Sequence, residues 1–159
     1  MAVSKGINSY VTVAEADTYL ADRLDVAAWI SADVTQKGQA LVTATALLDE
    51  MSWSGTAISE SQSLAFPRVC EYFDPKLGTL IYLDGTTVPN RIISAVIELA
   101  YHLLNNDGLL DNTGSIGSIT IGPISLSGIK SASQVPRHVE RIVKPLQING
   151  GANLWWRAN

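Results

Sequence analysis

Apolar residues recur at helical spacing in several segments of this chain and alternate with polar ones in two short runs near residue 120. Thr12-Val13-Ala14-Glu15 fits a capping box, and Val11 and Ala16 stand where a hydrophobic staple would sit. Ala16, Tyr19, Leu20 and Leu24 continue the pattern, which predicts a helix over about residues 13–24. Trp29 and Ile30 follow in a short turn or helix. A second helix is predicted over about 34–51, capped by Asp33 or Thr35, with Leu41, Ala44, Leu47, Leu48 and Met51 as one stripe. Residues 52–88 carry the breakers Gly55, Pro67, Pro75, Gly78 and Gly85. They read as packed loop held by Trp53, Phe66 and Tyr72, with one possible short strand, Leu80-Ile81-Tyr82-Leu83, before an Asp84-Gly85 turn. Pro89 opens a third helix whose wide stripe (Ile92, Ile93, Val96, Ile97, Leu99, Ala100, Leu103, Leu104) places it centrally, and Asn105-Asn106-Asp107-Gly108 stops it. Ser118-Ile119-Thr120-Ile121 and Ile124-Ser125-Leu126-Ser127 alternate around Gly122-Pro123, which predicts a β-hairpin over about 116–128. Its apolar face would be Ile119, Ile121, Ile124 and Leu126. A last helix starts near Pro136 and ends by Pro145, with Val139, Ile142 and Val143 inward. The expected fold is mainly α: a bundle of about four helices with a hairpin insertion in residues 1–148, then an extended C-terminal tail, 149–159.

Length and composition narrow this further. The 159 residues, 17.0 kDa, suit one domain with its own core. Hydrophobic residues are 47% and charged ones 16%, against roughly 25% charged in an average soluble domain. This composition argues against disorder of the whole chain, and so sparse a charge favours surface covered by partner chains over a solitary monomer. The single cysteine, Cys70, allows no intrachain disulfide and no cysteine-based metal cluster. The first residues lack the apolar core of a signal peptide, and the longest apolar stretch, 92–104, is shorter than a membrane span. A soluble protein of a reducing compartment is expected, without a membrane partner.

The net charge of −4 conceals a division. Residues 1–111 hold 14 acidic and 6 basic side chains; residues 112–159 hold Glu140 against Lys130, Arg137, Arg141, Lys144 and Arg157. An acidic body with a basic C-terminal third suggests a docking segment for an acidic surface. In the tail, Gly150-Gly151 forms a joint before Leu154, Trp155, Trp156 and Arg157, residue types suited to anchoring in a partner pocket.

Chemistry is scarce. There is no nucleophile elbow, zincin motif or phosphate-binding loop. His102 lies in the central helix and His138 beside Arg137 and Arg141, and nothing places either near Cys70. The pairs Asp22/Asp25 and Asp49/Glu50 read as solvated charge. No catalytic residue, metal site or cofactor is expected, and the protein reads as a non-enzyme.

The order Asn8-Ser9-Tyr10-Val11-Thr12-Val13-Ala14-Glu15-Ala16-Asp17, Tyr19-Leu20-Ala21, Trp29, Ala40-Leu41, Leu48-Asp49, Trp53-Ser54-Gly55 continues through Gln62-Ser63-Leu64-Ala65-Phe66-Pro67-Arg68. Val88-Pro89, Glu98-Leu99-Ala100 and Ile121-Gly122-Pro123-Ile124 complete it. This pattern resembles the head-to-tail connector (head completion or adaptor) proteins of tailed bacteriophages. The family more often has Trp where this chain has Phe66. The resemblance implies a structural virion protein, made in the bacterial host cytoplasm and placed in the neck as a ring, dodecameric in such proteins. Its partners would be the portal protein, a tail, nozzle or tail-terminator protein, and copies of itself, with DNA passing through the channel without sequence-specific binding. It also implies that the C-terminal segment, here Leu154, Trp155, Trp156 and Arg157, grips the portal, and that the hairpin packs in the ring. Some relatives carry a DnaT-like single-stranded-DNA-binding label, so DNA binding is the alternative function. The acidic body works against it as the main activity.

Overall fold

The computed structural model describes residues 2–106, 118–121, 124–127 and 135–148, the two short segments between 118 and 127 as backbone only. In chain order the elements are α1 (Val13–Ala21), α2 (Ala27–Ser31), α3 (Val34–Asp49), β1 (Thr56–Ala57), β2 (Arg68–Asp74), β3 (Thr79–Asp84), α4 (Asn90–Asn105), β4 (Ser118–Ile121), β5 (Ile124–Ser127) and α5 (Arg137–Val143). A 3-10 turn, Lys144–Leu146, follows α5. Strands β1, β2 and β3 form an antiparallel sheet in that order. This mixed α/β architecture corrects the mainly α bundle of about four helices expected from the sequence.

The helices begin where local chemistry dictates. Thr12 accepts from the Glu15 N–H while the Glu15 carboxylate accepts from the Thr12 N–H, which closes the start of α1. The same reciprocal arrangement joins Asp33 and Gln36 ahead of α3. Helix α1 stops at Ala21, short of Leu24, which is 95% exposed. Helices α3 and α4 pack along each other around Leu41, Ala44, Leu48, Ile92, Val96 and Leu99, all fully buried. The alanines Ala40 and Ala44 permit this close approach. Helix α5 lies on α4 and buries Val139 and Val143.

Residues 52–88, expected as packed loop with one short strand, contain the whole three-stranded sheet. Here β2 and β3 pair in register from Val69 opposite Asp84 to Asp74 opposite Thr79. Pro67 and Pro75 do not interrupt the pairing, because they flank β2 rather than enter it. The turn is closed by Asp74, whose carboxylate accepts from the Lys76 and Leu77 N–H groups and whose carbonyl accepts from Gly78. The Leu80–Leu83 strand and the Asp84-Gly85 turn are where the sequence puts them, with Gly85 at φ +81°. Trp53 and Phe66 do anchor the region, their rings edge to face with centroids 5.1 Å apart.

Strands β4 and β5 form the expected antiparallel hairpin, with Ile119 opposite Leu126 and Ile121 opposite Ile124. The tail residues Leu154, Trp155, Trp156 and Arg157 lie outside the described residues.

Candidate functional site

Most cations of the acidic body are already engaged. Lys5 pairs with Glu15, Arg23 with the buried Glu98, Lys37 with Asp17 at 2.9 Å, and Arg91 with Asp74. Arg68 donates to the carbonyls of Ser54 and Gly55, fastening the approach to β1 onto β2. A cation held by a carboxylate or by backbone carbonyls has little left for a phosphate. On the body only Lys76, at the β2–β3 turn, has its side chain in neither an ion pair nor a hydrogen bond to a carbonyl among the described residues.

Helix α5 differs. Arg137, Arg141 and Lys144 are exposed and make no ion pair among the described residues. Spacings of four and three residues put them on one face, opposite the buried Val139 and Val143. That face is fixed from below. Arg91 grips both Asp74 carboxylate oxygens, at 3.1 and 2.9 Å, and donates to the Ile142 carbonyl at 3.3 Å. One guanidinium therefore ties β2, α4 and α5 together. Past the 3-10 turn, Ser54 N–H donates to Leu146 O and Ile148 N–H to Ser52 O, which anchors the chain beside the sheet.

The Arg91 guanidinium holds the Asp74 carboxyl down at about 2, with the two turn N–H groups adding to the effect. Because the folded value lies below the unfolded one, this pair stabilises the fold above about pH 4 and is lost as pH falls towards 2. Denaturant midpoints measured from pH 5 down to about pH 2 are expected to fall less steeply in Asp74→Asn than in the wild type. An unchanged slope would refute the assignment.

The second notable surface is the outward face of β2–β3. Cys70, Tyr72 and Asp74 turn inward, so Glu71 and Phe73 point out, as do Leu80 and Tyr82 on the partner strand. Phe73 is 55% exposed, Leu80 61% and Tyr82 69%. This face exists only because residues 68–74, expected as packed loop, form β2. The run Val69-Cys70-Glu71-Tyr72-Phe73, rich in β-formers, carried the signal.

The remaining candidates resolve differently. Burial raises the Cys70 thiol, which makes it a poor nucleophile. His102 and His138 approach with ring centroids 6.4 Å apart, and His138 Nε2 lies 4.0 Å from Glu98. Glu98 itself accepts from Tyr19 and Arg23, so this cluster joins α1, α4 and α5. Asp49 is not solvated charge: it accepts from the Tyr10 hydroxyl and the Ala65 N–H. Asp22 caps the C-terminus of α1 and Asp25 sits at φ 57°. Among the described residues no three His, Cys, Asp or Glu side chains form a metal-holding group, and no helix is long and apolar enough to cross a membrane.

A family model described as "Putative DnaT-like ssDNA binding protein" matches residues 2–157. The chain matches no curated protein and no solved structure. The family description agrees with the DNA-binding alternative of the sequence reading and says nothing of a connector.

Proposed function

This chain belongs to the DnaT-like family, and from that premise we propose that it binds single-stranded DNA with the cationic face of α5. The observation that carries the reading is the division of cations. Those of the body, Lys76 apart, are held by its own carboxylates and carbonyls, whereas Arg137, Arg141 and Lys144 stand exposed and in line. Single-strand binders join a cationic track to aromatic platforms, and the sequence beyond α5 supplies Trp155, Trp156 and Arg157. The acidic remainder limits contact to this end of the molecule and keeps affinity salt-sensitive.

Three phosphate contacts on a single strand predict a salt slope of about −2 for log K against log salt. Fluorescence anisotropy with a labelled oligo-dT is expected to show that slope. The triple variant Arg137→Ala/Arg141→Ala/Lys144→Ala is expected to weaken low-salt binding at least about tenfold and flatten the slope. Equal binding by the variant, or none by the wild type at low salt, would overturn the reading.

A second reading is a structural subunit of a phage head-to-tail connector, assembled with copies of itself between portal and tail in the virion neck. It is favoured by the apolar outward face of β2–β3, which is surface suited to being covered by protein. Electron microscopy of portal with the full chain and with a chain lacking residues 149–159 separates the two. Rings on portal that need this segment would support the connector.

A further inference from the structure

Among the described residues the outer edge of β3 has no neighbouring strand. In an antiparallel pair, alternate residues direct both backbone groups at the partner strand, and the others direct theirs away. Among the described residues β3 pairs only with β2, and no backbone donor or acceptor meets its other side. Proteins guard such edges with inward charges, proline or a bulge. Thr79-Leu80-Ile81-Tyr82-Leu83 has no charge and no proline, and its pairing with β2 runs without a bulge.

From this we propose that β3 pairs antiparallel with β3 of a second copy of this chain, joining two sheets into one of six strands. Backbone groups along an extended edge are otherwise left to water, and another extended edge pairs with them in a continuous ladder; the charges name a copy as the partner. β3 is flanked by Lys76 before its start and ends in Asp84. Two-fold pairing keeps matched side chains on one face only in registers where the opposed residue numbers sum to an even value. The register centred on Ile81 sets Leu80 opposite Tyr82 of the partner strand, twice by symmetry. It also sets Asp84 beside the turn carrying the other copy's Lys76, so each end of the pair brings an acid to a base. The inference stands independently of what α5 binds.

The test is sedimentation equilibrium on the full chain over a concentration series, with amide exchange read at Thr79 to Leu83. The wild type is expected to reach twice 17.0 kDa, and the alternate amides of this stretch that face away from β2 to gain protection as the dimer forms. Tyr82→Lys, at a largely exposed position that the fold tolerates, is expected to weaken dimerisation at least about tenfold, by opposing an ammonium to Leu80. Lys76→Glu, in the turn, is expected to weaken it less, and more at low salt than at high. A wild type monomeric throughout, a dimer indifferent to Tyr82→Lys, or a dimer without added protection in β3 would each overturn the proposal.

Discussion

Gly55→Ala is expected to destabilise the protein by about 4 kcal/mol, the sum of a left-handed backbone penalty and an overlap in packed surroundings. Gly55 sits at φ +76°, and a Cβ there would overlap the Val69 carbonyl oxygen and the Cys70 Cβ. Both belong to β2, to which β1 is paired through Thr56 and Val69, so relief requires parting the strands. The Arg68 guanidinium also donates to Gly55 O at 2.7 Å, and any shift of this turn loosens it. Gly78→Ala is the control. Its φ is +67° and nothing lies within 4 Å of an added Cβ, so only the backbone cost of about 1–2 kcal/mol applies. Denaturant unfolding of the two variants distinguishes overlap from conformation. Equal losses would show that the close approach to β2 does not matter.

Tyr10→Phe is expected to cost about 3 kcal/mol, because one hydroxyl serves two partners, the half-buried Asp49 carboxylate and the buried Phe66 N–H. It donates to Asp49 and accepts from the Phe66 N–H at 3.0 Å, while Asp49 also accepts from Ala65 at 3.2 Å. This knot joins the segment before α1, the end of α3 and the approach to β2. Burial raises the Asp49 carboxyl above its ordinary value, and the Tyr10 hydroxyl opposes that rise. A raised folded value means that Asp49 favours the fold fully only at low pH, and that stability is lost as pH rises through the folded value. Removing the hydroxyl raises Asp49 further, so the variant is expected to lose more stability at pH 7 than at about pH 4. The double variant Tyr10→Phe/Asp49→Leu is expected to lose less than the two single losses combined. Additive losses, or a loss independent of pH, would show that the two groups do not act together.

The sequence by itself determined the helices and their starts, because those are written over spans of a few residues. Thr12 with Glu15, Pro89 ahead of α4, the stripe from Ile92 to Leu103 and the β4–β5 alternation are local statements, and the structure contains each one. The basic C-terminal third was legible too, by charge alone. Tertiary structure decided what depends on distant partners. The prolines beside β2 read as breakers until β3 returned to pair with it across the Asp74 turn. Asp49 read as solvated until Tyr10, 39 residues away, met it. Arg23 and Arg91 look as available in the sequence as Arg141. Only the fold brings Glu98, 75 residues off, to one and Asp74, 17 residues off, to the other. A charge is open to a partner only when no carboxylate in its own chain neutralises it, and that is settled by where the chain folds back.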